Sequence, residues 1–179
     1  YPVKIIEPEE IKLNLKHDFN FLTVGTWIAR KNLECTIKWF VEEFYDQDVG
    51  LIVKTSLAKH SLRDREFTHS RLKQLLNEYE DRKCEVYLLH GDMTEGEMTS
   101  LYQHQVKAMI NLSHGEGFGL PLYEAAYNGL PIIAPNWGGQ VDFLHAPVKD
   151  KKGKVKNKPM FTEVAYDIKP IQESAHWEG

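Results

Sequence analysis

The stretch Ser113-His114-Gly115-Glu116-Gly117-Phe118-Gly119-Leu120-Pro121-Leu122-Tyr123-Glu124-Ala125-Ala126 decides how this chain is read. Apolar Val106-Lys107-Ala108-Met109-Ile110-Asn111-Leu112 runs into it as a buried strand. Leu120-Pro121 opens a helix on the far side, because proline fits the first turn, where an N–H has no intrahelical acceptor. Glu116 and Glu124, with seven residues between them, bracket the bend, and Gly117 and Gly119 lie inside it. Strand, glycine loop and helix N-terminus together aim unpaired backbone N–H groups and the positive end of a helix dipole at an anion. The carboxylates would repel a phosphate, but they accept hydrogen bonds from hydroxyls, which a sugar or a ribose supplies. Phosphate and vicinal hydroxyls wanted at one place describe a nucleotide-sugar site.

Outward from that bend, strand and helix alternate. Phe21-Leu22-Thr23-Val24 reads as a short strand ending at Gly25, and a helix follows from about Asn32, with Leu33, Ile37, Phe40, Val41 and Phe44 on one face. Leu51-Ile52-Val53 is the next strand, Leu72, Leu75, Leu76 and Tyr79 mark a second helix, and Val86-Tyr87-Leu88-Leu89 is a third strand. Thr94 and Glu97 form a capping-box pair ahead of Met98, Leu101 and Tyr102. Pro131-Ile132-Ile133-Ala134 is a further strand. Such alternation calls for an α/β fold, a Rossmann-like parallel sheet with helices on both faces. Ligands of such sheets bind outside the carboxyl ends of the strands, where Gly25, Lys54, His90, the run 111–116 and Asn136 are expected. Residues 1–19 read as a linker, 20–145 as the Rossmann-like domain, and 146–179 as a basic loop with a C-terminal extension. Within that last part Lys149 to Lys158 is expected to be a loop and Val164-Ala165-Tyr166-Asp167-Ile168 a late strand.

The residues Glu116-Gly117-Phe118-Gly119-Leu120-Pro121, Glu124-Ala125, Asn128-Gly129-Leu130-Pro131-Ile132-Ile133-Ala134 and Gly138-Gly139 resemble the retaining GT-B glycosyltransferases of family 4. The resemblance reaches back to Phe21-Leu22-Thr23-Val24-Gly25 and Arg30-Lys31-Asn32, so it covers roughly residues 20 to 145. It implies the C-terminal, donor-binding half of a GT-B fold, with an N-terminal domain as its missing partner. It also implies a nucleotide-activated hexose (a UDP-, GDP- or ADP-sugar) as donor, and transfer to an acceptor hydroxyl on a glycan, lipid or small molecule with retained configuration. By the same resemblance Lys31 contacts the donor diphosphate, with Arg30 as a neighbouring candidate. Glu124 accepts from the ribose hydroxyls, Glu116 faces the transferred sugar, and Gly117, Phe118, Gly119 and Leu120 offer backbone N–H groups. Lys31, Arg30 and Glu116 are thereby the candidates for the chemistry, since a fixed cation stabilises the charge that grows on a departing diphosphate. Many relatives carry an arginine directly after the glycine, where this chain has Thr26. Either Arg30 substitutes for it or the diphosphate is held less tightly.

Gly25 is expected to let backbone approach the donor or the partner domain. His114 is read as a loop residue, because the family's functional histidine belongs to the N-terminal half. Trp137 is either a wall of the sugar pocket or a packed aromatic. Base recognition falls to backbone groups around Leu89 to Met93. Asp46-Gln47-Asp48 looks like a metal-holding pair but falls on the wrong sheet edge, no other cluster has ligand spacing, and the family generally uses no metal or other cofactor. Two rivals stand beside the transferase: a GT-B-fold epimerase of nucleotide sugars, and a noncatalytic nucleotide-sugar binding module. A dehydrogenase is disfavoured, as no Gly-x-Gly-x-x-Gly follows the first strand.

The 179 residues suffice for one domain with a real core, and their abrupt start at Tyr1 and end at Gly179 suggest an excised piece. A net charge of −4 argues against nonspecific nucleic-acid binding. Cys35 and Cys84 lack metal-ligand spacing and read as buried reduced thiols. No apolar run approaches the roughly 18 residues needed to cross a bilayer, and no signal peptide opens the chain, so a cytoplasmic setting is expected. The lysines of 149–158 add a peripheral contact with a membrane face or a charged acceptor as the sharper alternative to a solvated loop.

Overall fold

A computed structural model describes residues 5–58 and 61–170. The elements run β1 (Phe19–Val24), α1 (Leu33–Glu43), β2 (Val49–Lys54), α2 (Leu62–Leu76), β3 (Glu85–Leu89), α3 (Glu95–Ser100), β4 (Ala108–Ile110), α4 (Leu120–Tyr127), β5 (Ile132–Pro135), β6 (His145–Lys149), β7 (Val155–Pro159) and β8 (Thr162–Val164). Six of the strands form one sheet in the order β3-β2-β1-β4-β5-β8, parallel at every pairing. The architecture is the Rossmann-like one expected from the alternation.

The pleat divides the core in two. Phe21, Leu51 and Val53 turn to the face covered by α1 and α2, where Leu33, Ile37, Phe40, Val41 and Leu72 meet them. Leu22, Ile52 and Met109 turn to the other face, against Leu101, Tyr102, Leu122 and Ala125. Period-2 strands facing period-3.6 helices account for both layers. The capping box at Thr94 and Glu97 forms as read: Thr94 Oγ1 accepts from the Glu97 N–H at 3.0 Å and Glu97 Oε2 accepts from the Thr94 N–H at 2.8 Å. Helix α3 then relaxes into a single π-type turn over Leu101–Gln105.

Several expectations shift. The strand expected over 106–112 is ordered as β4 only across Ala108–Ile110, and Tyr79 lies beyond the end of α2. The late strand stands earlier, at Thr162–Val164, because that is where its backbone finds the free edge of β5. The loop expected over Lys149 to Lys158 is instead the antiparallel ribbon β6–β7, registered from His145↔Pro159 to Lys149↔Val155. Its turn closes through Asp150, whose carboxylate accepts from the N–H groups of Lys152 and Lys154 at 2.8 and 2.9 Å, and through Gly153 at φ +76°. Asp-x-x-Gly turn chemistry was there to be read, but the lysine density masked it. Segment 5–18 has neither helix nor strand, yet it lies along the body: Glu9 N–H donates to Gly96 O at 3.1 Å, and Ile11, Leu13 and Leu15 pack on the α3–α4 layer. Cys84 is buried, whereas Cys35 is exposed, on the outer side of α1.

Candidate functional site

Strand order reverses between β1 and β4, since β2 and β3 extend to one side of β1 and β5 to the other. The loops leaving the carboxyl ends of β1 and β4 therefore lie side by side, at the crevice where open α/β sheets place ligands. Several contacts staple them. The His114 N–H donates to Arg30 O at 2.9 Å, and Asn32 Nδ2 donates to Leu112 O at 3.0 Å. Arg30 Nη1 donates to Gly115 O at 2.8 Å, and Lys31 Nζ lies 2.7 Å from both Glu116 carboxylate oxygens. Asn32 adopts φ +53°, the left-handed region that asparagine tolerates better than most residues. That single residue ends the short helical turn bearing Arg30 and Lys31 and starts α1.

Arg30, Lys31 and Glu116, far apart in sequence, thus form one cluster. The Glu116 side chain is 6% exposed and that of Lys31 15%, so the pair is nearly dry. Asn111 Nδ2 adds a longer contact to Glu116 Oε1 at 3.3 Å, and Arg30 Nη1 stands 3.9 Å from Oε2. A paired carboxylate accounts for why burial is tolerated here. Glu116 stands against Lys31 rather than open to the rim.

The bend itself is braced from behind by Gly138 and Gly139. The Gly139 N–H donates to Glu116 O at 2.8 Å, and a Cβ on Gly139 would fall 2.0 Å from Gly117 O. No side chain fits between the two backbones. Gly119, at φ +85°, turns the chain into α4. The N–H groups of Gly117, Gly119 and Leu120 have no acceptor among the described residues, as a helix entrance offers. Phe118 points away from them into a ring cluster with Tyr123 and Phe143.

Glu124 sits one turn into α4, half-buried, and Tyr102 Oη donates to its Oε2 at 3.1 Å. Burial pushes the Glu124 carboxyl above the usual carboxylate range; the tyrosine bond opposes that rise, and the charge of Glu95 adds to it. Burial also raises the Tyr102 phenol strongly, so it remains a donor. Tyr102 was missed from sequence because it follows Leu101 on an apolar face and reads as plain core.

A cleft of about 350 Å³ opens beside Gly25, lined also by Thr26, Lys54, Thr55, Asp92 and Met93. It includes part of the Leu89–Met93 segment expected to meet the base. Lys54 Nζ donates to Gly91 O, and burial lowers its ammonium pKa, with the charges of Asp92 and Glu97 opposing. Gly25 itself contacts the stem of Lys31, where an added Cβ would stand 3.4 Å away. His114 is exposed on the loop. Trp137 is 45% exposed, with its ring 6.3 Å from that of Tyr166. Asp46 and Asp48 fall between α1 and β2, at the opposite rim. Among the described residues no group of three or more His, Cys, Asp or Glu is placed to hold a metal, and no helix is long and apolar enough to cross a membrane.

The model of the family "Glycosyl transferases group 1" matches residues 7–149, most of the chain. The chain belongs to that family. Among solved structures, it is similar to the C-terminal domain of a glycosyl transferase group 1 family protein (LpcC) from Francisella tularensis, at 20% identity and a TM-score of 0.55, over 75% of this chain and 70% of that one. It is also similar to Alr3699/HepE from Anabaena in complex with UDP and glucose, at 16% identity and a TM-score of 0.54, over 74% of this chain and 34% of that one. A trehalose-6-phosphate protein from E. coli bound with UDP-2-fluoro glucose matches at 11% identity and a TM-score of 0.54, over 72% of this chain and 32% of that one. The chain thus spans about a third of the length of the latter two. At these identities the likeness is one of fold, and the fold is that of the C-terminal half of GT-B glycosyltransferases. No curated protein matches the chain in sequence.

Proposed function

We propose that this glycosyltransferase domain binds a nucleotide-activated hexose at the β1–β4 crevice and, together with an N-terminal GT-B domain, passes the sugar to an acceptor hydroxyl with retention of configuration. The observation that carries the reading is the convergence of Arg30, Lys31, the unpaired amides of Gly117, Gly119 and Leu120, and the Glu124 carboxylate around one bend. Cations and amides suit a diphosphate, and Glu124, with only Oε2 engaged by Tyr102, keeps Oε1 for ribose hydroxyls. Phe118 belongs to the same stretch, and its ring, packed on Tyr123 and Phe143, fixes the bend.

Glu116 takes two tasks in this scheme. It pairs with Lys31 in the unliganded site, and when the donor's diphosphate draws the Lys31 ammonium to itself the Glu116 oxygens are released to hydroxyls of the hexose. During transfer the bond between the anomeric carbon and the diphosphate oxygen breaks, and a bond to the acceptor oxygen forms on the same face. The acceptor's proton passes to the departing diphosphate. Lys31, once drawn from Glu116, and Arg30 meet the negative charge as it grows, which favours the transition state over the ground state. No covalent sugar–protein intermediate is needed. HepE with UDP and glucose, and the E. coli protein with UDP-2-fluoro glucose, support a nucleotide sugar as the ligand class.

A thermal-shift panel of UDP-, GDP- and ADP-sugars, with the matching nucleosides as controls, tests the reading. Stabilisation by at least one sugar nucleotide, above its nucleoside, is expected. No stabilisation by any of them refutes donor binding. Product formed only when acceptor is present separates transfer from epimerisation, which proceeds without one.

A further inference from the structure

We infer that the β6–β7 ribbon is a docking surface for an anionic lipid membrane. Residues 149–158 hold six lysines against one acid, Asp150, in a chain whose net charge is −4; the remaining residues hold 16 Lys and Arg against 25 Asp and Glu. The protein is therefore an acidic body with one basic arm. All six lysines are exposed, and none forms an ion pair among the described residues. Asp150 is engaged by the turn amides rather than by an ammonium. The arm is an ordered ribbon with a fixed register, so the charges keep company instead of dispersing as they would in a random loop.

Residue types on the arm favour lipid over nucleic acid. Every cation is lysine, a compact charge on a flexible stem that suits a diffuse layer of headgroups. Bidentate phosphate recognition calls for arginine and base stacking for aromatic rings, and residues 145–159 contain neither, apart from His145 at the base. Val148 and Val155, 37% and 54% exposed, flank the turn on opposite faces of the ribbon, each paired across the ladder with a lysine, Lys156 and Lys149, so an arm entering turn-first carries one apolar side chain among its lysines on either face. An acidic body is repelled by the same surface, but screening confines that repulsion to about 8–10 Å. The ribbon is exposed throughout 147–160, and five-residue strands at about 3.3 Å per residue give it a reach longer than that distance. Lysines on an exposed strand also keep two ribbons from pairing edge to edge, and that is the rival explanation.

Sedimentation of the purified protein with phosphatidylcholine vesicles, with and without about 30% phosphatidylserine, at about 0.1 M salt decides it. Binding is expected only to the anionic vesicles, and weaker as salt rises. Each lysine near such a surface is worth roughly fivefold in partitioning, so the combined change Lys151→Gln, Lys152→Gln, Lys154→Gln and Lys156→Gln should weaken binding a few hundredfold. Val148→Ser with Val155→Ser should weaken it by less, at unchanged charge. Absence of binding to anionic vesicles, equal binding by the four-glutamine variant, or capture by heparin or duplex RNA in place of vesicles would overturn the assignment. Self-association of that variant with vesicle binding unchanged would overturn it too, leaving the lysines as guards against edge pairing. Far-UV circular dichroism confirms that each variant keeps its fold.

Discussion

Charge is concentrated twice in this molecule, at the bend 111–119 with its neighbours Arg30 and Lys31, and on the ribbon 145–159. At the bend, Lys31 and Glu116 are nearly dry and joined at 2.7 Å, and a glycine is wedged behind them. On the ribbon, six lysines face water with no ion-pair partner among the described residues. The first arrangement is stiff, because an ion withdrawn from solvent needs its counterion held in place. The second costs the fold almost nothing and leaves its charge free for something outside the molecule. Identical side-chain chemistry thus serves internal architecture in one place and external contact in the other, and burial with pairing tells the two apart.

Removing one partner of the dry pair should show the contrast most sharply. Lys31→Met strands the Glu116 carboxylate, and a loss of about 3–5 kcal/mol in urea unfolding is expected; restoring much of it by adding Glu116→Leu would confirm that the damage is an orphaned charge. A loss below 1 kcal/mol would mean that the pair is open to water. Next in size is Gly139→Ala. Its methyl must push Gly117 away, with an expected cost of about 1–3 kcal/mol and weaker donor binding; a melting temperature within error of the parent would show that the crossing is loose.

Tyr102→Phe removes one hydrogen bond and should cost about 1 kcal/mol, and its pH behaviour is more telling. The Tyr102 bond lowers the Glu124 pKa against the rise that burial causes. Without it the carboxyl protonates at still higher pH, so donor affinity should start to fall earlier on acidification than in the parent. For stability the sign is opposite to that of an ion-paired acid: a carboxyl raised in the folded state stabilises the fold below its unfolded pKa, and that contribution is lost as pH rises through the folded value. Superimposable affinity–pH curves for parent and variant would remove Tyr102 from the site. The smallest effect belongs to the ribbon: Lys151→Ala should change unfolding free energy by less than about 0.5 kcal/mol, and a larger loss would show that the lysine is tied to the body.

The layers of the fold could be read in the sequence because periodicity reports burial directly: Phe21, Leu51 and Val53 against Leu22, Ile52 and Met109 need only the pleat to separate. The bend was legible for a different reason, since glycines between two acids at a strand-to-helix junction have few other uses. What escaped was anything fixed by a contact distant in sequence. Nothing near Glu116 names Lys31 as the group that takes both its oxygens, 85 positions away. Nothing near Tyr102 names Glu124, and Gly139 reveals its purpose only when Gly117 O is seen behind it. The ribbon was hidden by composition, because six lysines suggest solvent before they suggest a strand. Residues 171–179, assigned to the C-terminal extension, lie outside the described residues.

Calorimetric titration of a sugar nucleotide that stabilises the protein, into the parent and into Glu124→Gln, tests the central claim most directly. Saturable binding to the parent, weakened by about 1–3 kcal/mol in the variant while its melting temperature holds, is the expected result. Equal affinity for both proteins would contradict the placement of the donor's ribose at α4, and with it the crevice between β1 and β4 as the donor site.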